Sequence, residues 1–159
     1  MLRGALFLLN RSRTLSYRGG FTLIEMLVVI AIVGILASII LGAVGSAKTQ
    51  AYDAKVKGQL SSIRNGAANY QVVNANYGAQ TVSCASGMFT DSATGLDKLS
   101  ISANYPVGEN TIVCESSGTA FAVEDNLSGA GNYWCVDSNG VSKKINAQLS
   151  TSSPAYVCP

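Results

Sequence analysis

Between Gly19 and Ala47 the chain carries a single charged side chain, Glu25. A carboxylate at the centre of a bilayer costs roughly 2.5–3.5 kcal/mol on insertion scales, so a charge in such a stretch points to function. Thr22 stands three residues before it, a T-x-x-E spacing. The threonine hydroxyl can accept the Glu25 N–H while the carboxylate accepts the Thr22 N–H, and the helix dipole favours an anion there. Capping alone does not require a full charge in an apolar first turn. The other reactive residues are Cys84, Cys114, Cys135 and Cys158, an even set with no CxxC spacing and no histidine anywhere in the chain. That set reads as two disulfides rather than a zinc site. Without histidine no Ser-His-Asp or Cys-His arrangement can be built, and there is no GxxxxGK[ST] phosphate loop, so neither an enzyme nor a cofactor is expected. Asp137-Ser138-Asn139-Gly140 contains part of a calcium-loop pattern but lacks the full D-x-[DN]-x-[DN]-G. Asn139-Gly140 between apolar runs is instead a type I′ hairpin signal, which favours a turn over a metal at Asp137 and Asn139.

The elements that must position these residues follow from pattern. Met26–Ala47 is 22 residues without a charge, about 33 Å as a helix and long enough to cross a hydrocarbon core. Tyr52, Val56, Leu60, Ile63, Ala67 and Tyr70 continue at spacings of three and four, one helical face. Lys48, Gln50, Asp53, Lys55, Lys57 and Arg64 fall on the other faces. The helix is expected to stop within Asn74–Gly78. Residues 78–110 are polar and read as a long, partly ordered connection. Thr111–Glu115, Thr119–Glu124 and Asn132–Asp137 read as antiparallel strands, with Val141–Ile145 as a fourth. Asn146–Pro159 reads as a polar tail ending in Cys158. The fold class is therefore α+β: a long N-terminal helix, amphipathic in its outer half, on a small antiparallel sheet of three to four strands.

Gly20-Phe21-Thr22-Leu23-Ile24-Glu25-Met26-Leu27 resembles the G-F-T-L-I-E-[ML]-[LV] class III signal of type IV pilins and pseudopilins. The likeness is close over roughly residues 18–51 and architectural beyond. It implies that a prepilin peptidase removes residues 1–20 as a leader and methylates the new amine of Phe21. Gly19 and Gly20 suit such a cut, since a residue without a side chain lets the backbone enter an active site. The resemblance further implies that subunits stack through residues 21–45 into a filament, lifted from the membrane by an assembly platform and its motor ATPase. Glu25 would then pair with the Phe21 ammonium of a neighbouring subunit, two opposite charges that offset much of each other's desolvation. Residues 46–77 would form the amphipathic half of the helix, and 46–159 one globular head. Many members carry proline where Gly42 stands. Gly34 and Gly42 serve here either as packing notches or as points where the helix stretches on assembly. Some pseudopilins bind calcium near the segment that holds Asp137.

The expected partners are other copies or relatives of the chain, the peptidase, the platform and membrane lipid. Nucleic acid is not indicated: all four leader arginines precede the cut, leaving seven Lys and Arg against nine Asp and Glu. Those arginines instead place the N-terminus in the cytoplasm and the cysteines outside. Alternatives are a type II secretion pseudopilin, a minor pilin for adhesion or DNA uptake, or a membrane-anchored binding domain or enzyme. An ordinary secretory signal cut at Ala43-Val44-Gly45 would need an apolar core longer than the usual 7–15 residues. Asn126-Leu127-Ser128 as a glycosylation sequon and Ser150–Ser153 as O-glycan sites carry little weight. Four cysteines allow three pairings. Chain order favours Cys84–Cys114 and Cys135–Cys158, because a meander would hold Cys114 and Cys135 two strands apart, too far for a disulfide.

Overall fold

The computed structural model describes residues 19–106, 112–150 and 154–159. The leader expected at 1–20 lies outside these apart from its last two residues. The first element is helix α1, Leu23–Asn74, 52 residues without proline. It stops where Ala75 takes the left-handed conformation, φ 60°, with its N–H on the Gln71 carbonyl at 2.7 Å. A residue with a Cβ in that conformation costs about 1–2 kcal/mol. The chain divides between Leu41 and Gly42 into two compact units.

In the first unit the helix buries nothing. Leu23, Ile30, Ile35, Ile39 and Leu41 are all more than 60% exposed. Its length and composition suffice to cross a membrane.

The second unit, Gly42–Pro159, holds a four-stranded antiparallel meander: β1 Val113–Ser116, β2 Phe121–Asn126, β3 Tyr133–Asp137 and β4 Ser142–Ile145, paired in that order. Side chains alternate across it. Cys114, Phe121, Val123 and Val136 cluster with Val56, Leu60, Ile63 and Ala67 of α1. The face expected from the three-and-four spacing is thus the buried one, with Tyr70 packed at its edge. Residues of the 78–106 connection complete this core: Met88 and Phe89 from a 3-10 turn and Leu96 from the four-residue helix α2, Leu96–Leu99. Gly66 is what lets Leu96 in, because a Cβ there would stand 2.9 Å from Leu96 Cδ2. The connection also covers the edge of β1 through the paired amides and carbonyls of Thr81 and Ser116, 2.9 Å each way.

Three expectations need correction. Strand β2 runs two residues past Glu124, so Glu124 and Asp125 lie inside it, both 0% exposed. Charge marked a strand end by pattern, yet both faces of this strand are covered. The β3–β4 turn is not type I′, which would need positive φ at both Asn139 and Gly140. Only Gly140 has it, φ 82°. The Gly140 N–H meets the Asp137 carbonyl at 3.3 Å and the Asp137 N–H meets the Val141 carbonyl at 3.2 Å. That is a three-residue loop with the glycine at the left-handed bulge position. Finally, the C-terminal segment is no solvated tail: Leu149 and Cys158 are buried in a second apolar cluster with Ala122, Cys135 and Ile145 on the sheet face away from α1.

Candidate functional site

The first turn of α1 is built by its own side chains. Glu25 Oε2 accepts the Thr22 N–H at 2.7 Å and the Thr22 hydroxyl at 2.8 Å. The Glu25 N–H donates back to Thr22 Oγ1 at 3.3 Å. One carboxylate oxygen thus takes two bonds from the residue that opens the helix. The other makes none among the described residues. Gly19 and Gly20 precede the helix as exposed, non-helical backbone, and Phe21 is 80% exposed. A carboxylate one turn from the Phe21 nitrogen, on a stretch of helix whose apolar side chains are exposed, presents charge and greasy surface together. That arrangement can do no bond-making chemistry by itself. It can hold a cation and a second apolar helix.

Gly34 and Gly42 both lie within α1, and nothing stands within 4 Å of a Cβ at either. The helix is continuous through Gly42, where a proline would have removed a hydrogen bond.

In the head, Cys84 is bonded to Cys114 and Cys135 to Cys158, with Cα separations of 5.0 and 5.8 Å. Strand β2 lies between the strands holding Cys114 and Cys135. The Asp137 carboxylate is taken by backbone amides: Oδ1 accepts Asn139 N–H at 3.0 Å and Val141 N–H at 2.9 Å, and Oδ2 accepts Cys158 N–H at 3.0 Å. Asn139 is exposed, and among the described residues no three acidic, histidine or cysteine side chains converge as for a metal. Asp137 therefore shapes the turn and docks the C-terminus. Trp134 is half-buried, its Nε1 donating to Ser142 Oγ at 3.2 Å and Lys57 Nζ lying 4.7 Å from the ring centroid.

Sequence reasoning missed the buried carboxylates. Burial pushes Asp125 up to about 6, and burial with the nearby Asp125 charge pushes the Tyr105 hydroxyl upward. Two adjacent acids inside a β-branched and aromatic run, Phe121-Ala122-Val123-Glu124-Asp125, were the available signal.

Residues 15–41 match the family described as the prokaryotic N-terminal methylation motif, the class III prepilin signal of type IV pilins and pseudopilins. No curated protein matches the chain. The motif's span takes in Gly19, Gly20, Phe21, Thr22, Glu25 and Gly34, and stops one residue before Gly42. It points to a pilin-like or pseudopilin structural subunit made as a membrane-anchored prepilin.

Proposed function

We propose that this chain is a structural subunit of a type IV pilus-like filament. The single observation that carries the reading is the methylation motif seated on the first part of a helix, Leu23–Leu41, whose apolar side chains stay exposed among the described residues. Cleavage between Gly20 and Phe21 creates an amine, and its methylation keeps the positive charge. The free oxygen of Glu25 is then placed to meet such an ammonium on a neighbouring subunit. Two opposite charges that meet in an apolar bundle restore to each other part of the solvation both lost, and they fix axial register. Removing residues 1–20 also removes four arginines that hold the N-terminus at the cytoplasmic side. The helix is then free to pass from lipid into a bundle of like helices, where small residues such as Gly34 and Gly42 allow close approach.

Mass spectrometry of the protein from membranes and from sheared filaments tests this. The expected species begins with N-methylated Phe21. An intact leader, or a start after Gly45, overturns the reading. Abundance in sheared filaments separates a major subunit from a minor one or from a secretion-system pseudopilin.

A further inference from the structure

The face of the sheet away from α1 carries three carboxylates in one patch. Cross-strand register sets Val113, Glu124, Cys135 and Lys143 in one row across the four strands. Glu115 and Asp137 belong to the same face, flanking Ala122. Over them lie the described parts of the C-terminal segment, 146–150 and 154–159, which have no regular secondary structure. An irregular segment must find acceptors for its N–H groups outside itself. Here the carboxylates serve. Tyr156 N–H donates to Glu115 Oε2 at 3.3 Å and Cys158 N–H to Asp137 Oδ2 at 3.0 Å.

Glu124 is served least well. It is 0% exposed, and neither of its oxygens closes a well-formed hydrogen bond. The Leu149 N–H and the Gln148 side chain approach it and favour its ionised form, but burial opposes that form more strongly. The neighbouring Asp125 and Glu115 add like charge. On this face the strands supply one cation among the described residues, Lys143, exposed and two strands away in the same row. Asp137 is already saturated by three N–H groups. The covering segment offers no charged side chain in its described parts. Its one titratable side chain, Tyr156, accepts from Gln80 Nε2 at 2.6 Å. Helix α1, with Lys57 and Arg64, packs on the opposite face, and so does Asp125.

We propose that the C-terminal segment is a pH-responsive clasp, closed over protonated Glu124 in acid and increasingly open as pH rises toward neutrality, with the Cys135–Cys158 bond keeping it tethered. The sign follows from linkage. With the clasp closed Glu124 is pushed up to about 7 from 4.5. Lifting Leu149 and its neighbours hydrates the carboxylate and returns it to its ordinary range. Opening is then favoured progressively as pH rises between those two values and levels off above the higher one. The opening constant should grow on the order of 50-fold from pH 5 to pH 8. Opening uncovers Val113, Ala122 and Ile145, an apolar surface hidden in acid.

Hydrogen exchange on the full-length protein in detergent micelles, disulfides intact, tests the clasp. Protection of the amides in 146–150 and 155–158, corrected for intrinsic exchange chemistry, should fall on the order of 50-fold from pH 5 to pH 8. Glu124→Gln should flatten this response, and Asp125→Asn, on the α1 side of the sheet, should only weaken it, by the like charge it takes from beside Glu124. Equal protection at both pH values overturns the proposal. So does a response that survives Glu124→Gln, or one abolished by Asp125→Asn, which would mark opening of the whole head. Should Glu124→Gln fail to fold, carbon-13 detected titration of the wild-type glutamate carboxyls decides: a midpoint near 7 at Glu124 is expected, and a midpoint below 5 sinks the idea.

Discussion

Along Leu23–Leu41 large apolar side chains stand in the open, and the one carboxylate is held by two hydrogen bonds. In Gly42–Pro159 the apolar side chains are inside, and four carboxylates are inside with them: Glu115, Glu124, Asp125 and Asp137, none more than 1% exposed. The first region is complete as a helix and incomplete as a packed structure. The second closes on itself, with two disulfides and two apolar clusters, one on each face of its sheet. The contrast teaches where each kind of information sits. Apolar surface is left unpaired in the first region, while in the head backbone N–H groups serve Glu115 and Asp137 and burial leaves Glu124 and Asp125 without a well-formed hydrogen bond. Burial also changes what the charge count means. Residues 21–159 carry more acid than base, yet Lys48, Lys55, Lys98, Lys143 and Lys144 are all exposed while four acids are hidden.

The sharpest way to break the comparison is at its single exposed carboxylate. Glu25→Val should leave the protein inserted and better retained in the membrane, since a costly charge is gone. Filament number should fall at least tenfold by electron microscopy of sheared material. Normal filaments would remove Glu25 from assembly, and Glu25→Gln, which keeps the capping geometry, separates charge from cap.

A smaller effect, confined to the head, is expected from the staples. Serine at both Cys135 and Cys158 should lower head stability by about 3 kcal/mol in urea titrations, as the chain-entropy account gives for loops of this size. Removing Cys84 and Cys114 should cost a similar amount, and neither pair should alter processing at Gly20.

Asp125 sharpens the head's side of the contrast through pH. Its acid form is favoured by burial, with the value raised from 3.8 to about 6. Asp125 should therefore cost the head stability as pH rises from 4 to 6, with no further loss from this group above. Asp125→Asn should remove that fall and stabilise the head at pH 8 by on the order of 1–3 kcal/mol. A thermal-melt comparison at pH 4.5 and 8 reads both. A variant no more stable than wild type at pH 8 would mean the charge is compensated.

The smallest expected effect is at Gly66. Alanine would improve helix propensity by up to about 1 kcal/mol. Its Cβ would also press on Leu96, which is 0% exposed and cannot move away freely. Overpacking of this kind costs about 1–3 kcal/mol, so a net loss near 1 kcal/mol is expected by denaturation. A gain in stability would show that Leu96 repacks without cost.

What the sequence determined by itself is what depends on neighbours in the chain. Thr22 and Glu25 meet because helical spacing puts them one turn apart, and the capping bonds form from side chains three residues apart. The run from Met26 to Ala47 and the face of Val56, Leu60, Ile63 and Ala67 follow from the same 3.6-residue period. Three of the strands are visible as β-branched and aromatic runs between turn residues, and the fourth, Ser142–Ile145, follows from the turn before it. Tertiary structure decided everything that depends on what lies across the fold. Glu124 and Asp125 look like a strand's solvent end until a C-terminal segment and the core of the head cover both faces. Gly66 looks ordinary until Leu96 arrives from thirty residues away. Asp137 resembles a loop ligand until the Cys158 amide, 21 residues on, takes its second oxygen. Asn139-Gly140 signals one hairpin turn, but Asp137 bonds to the Asn139 and Val141 amides and holds another. Local rules carry no information about such partners, because burial and hydrogen-bond competition are set by chain segments distant in sequence.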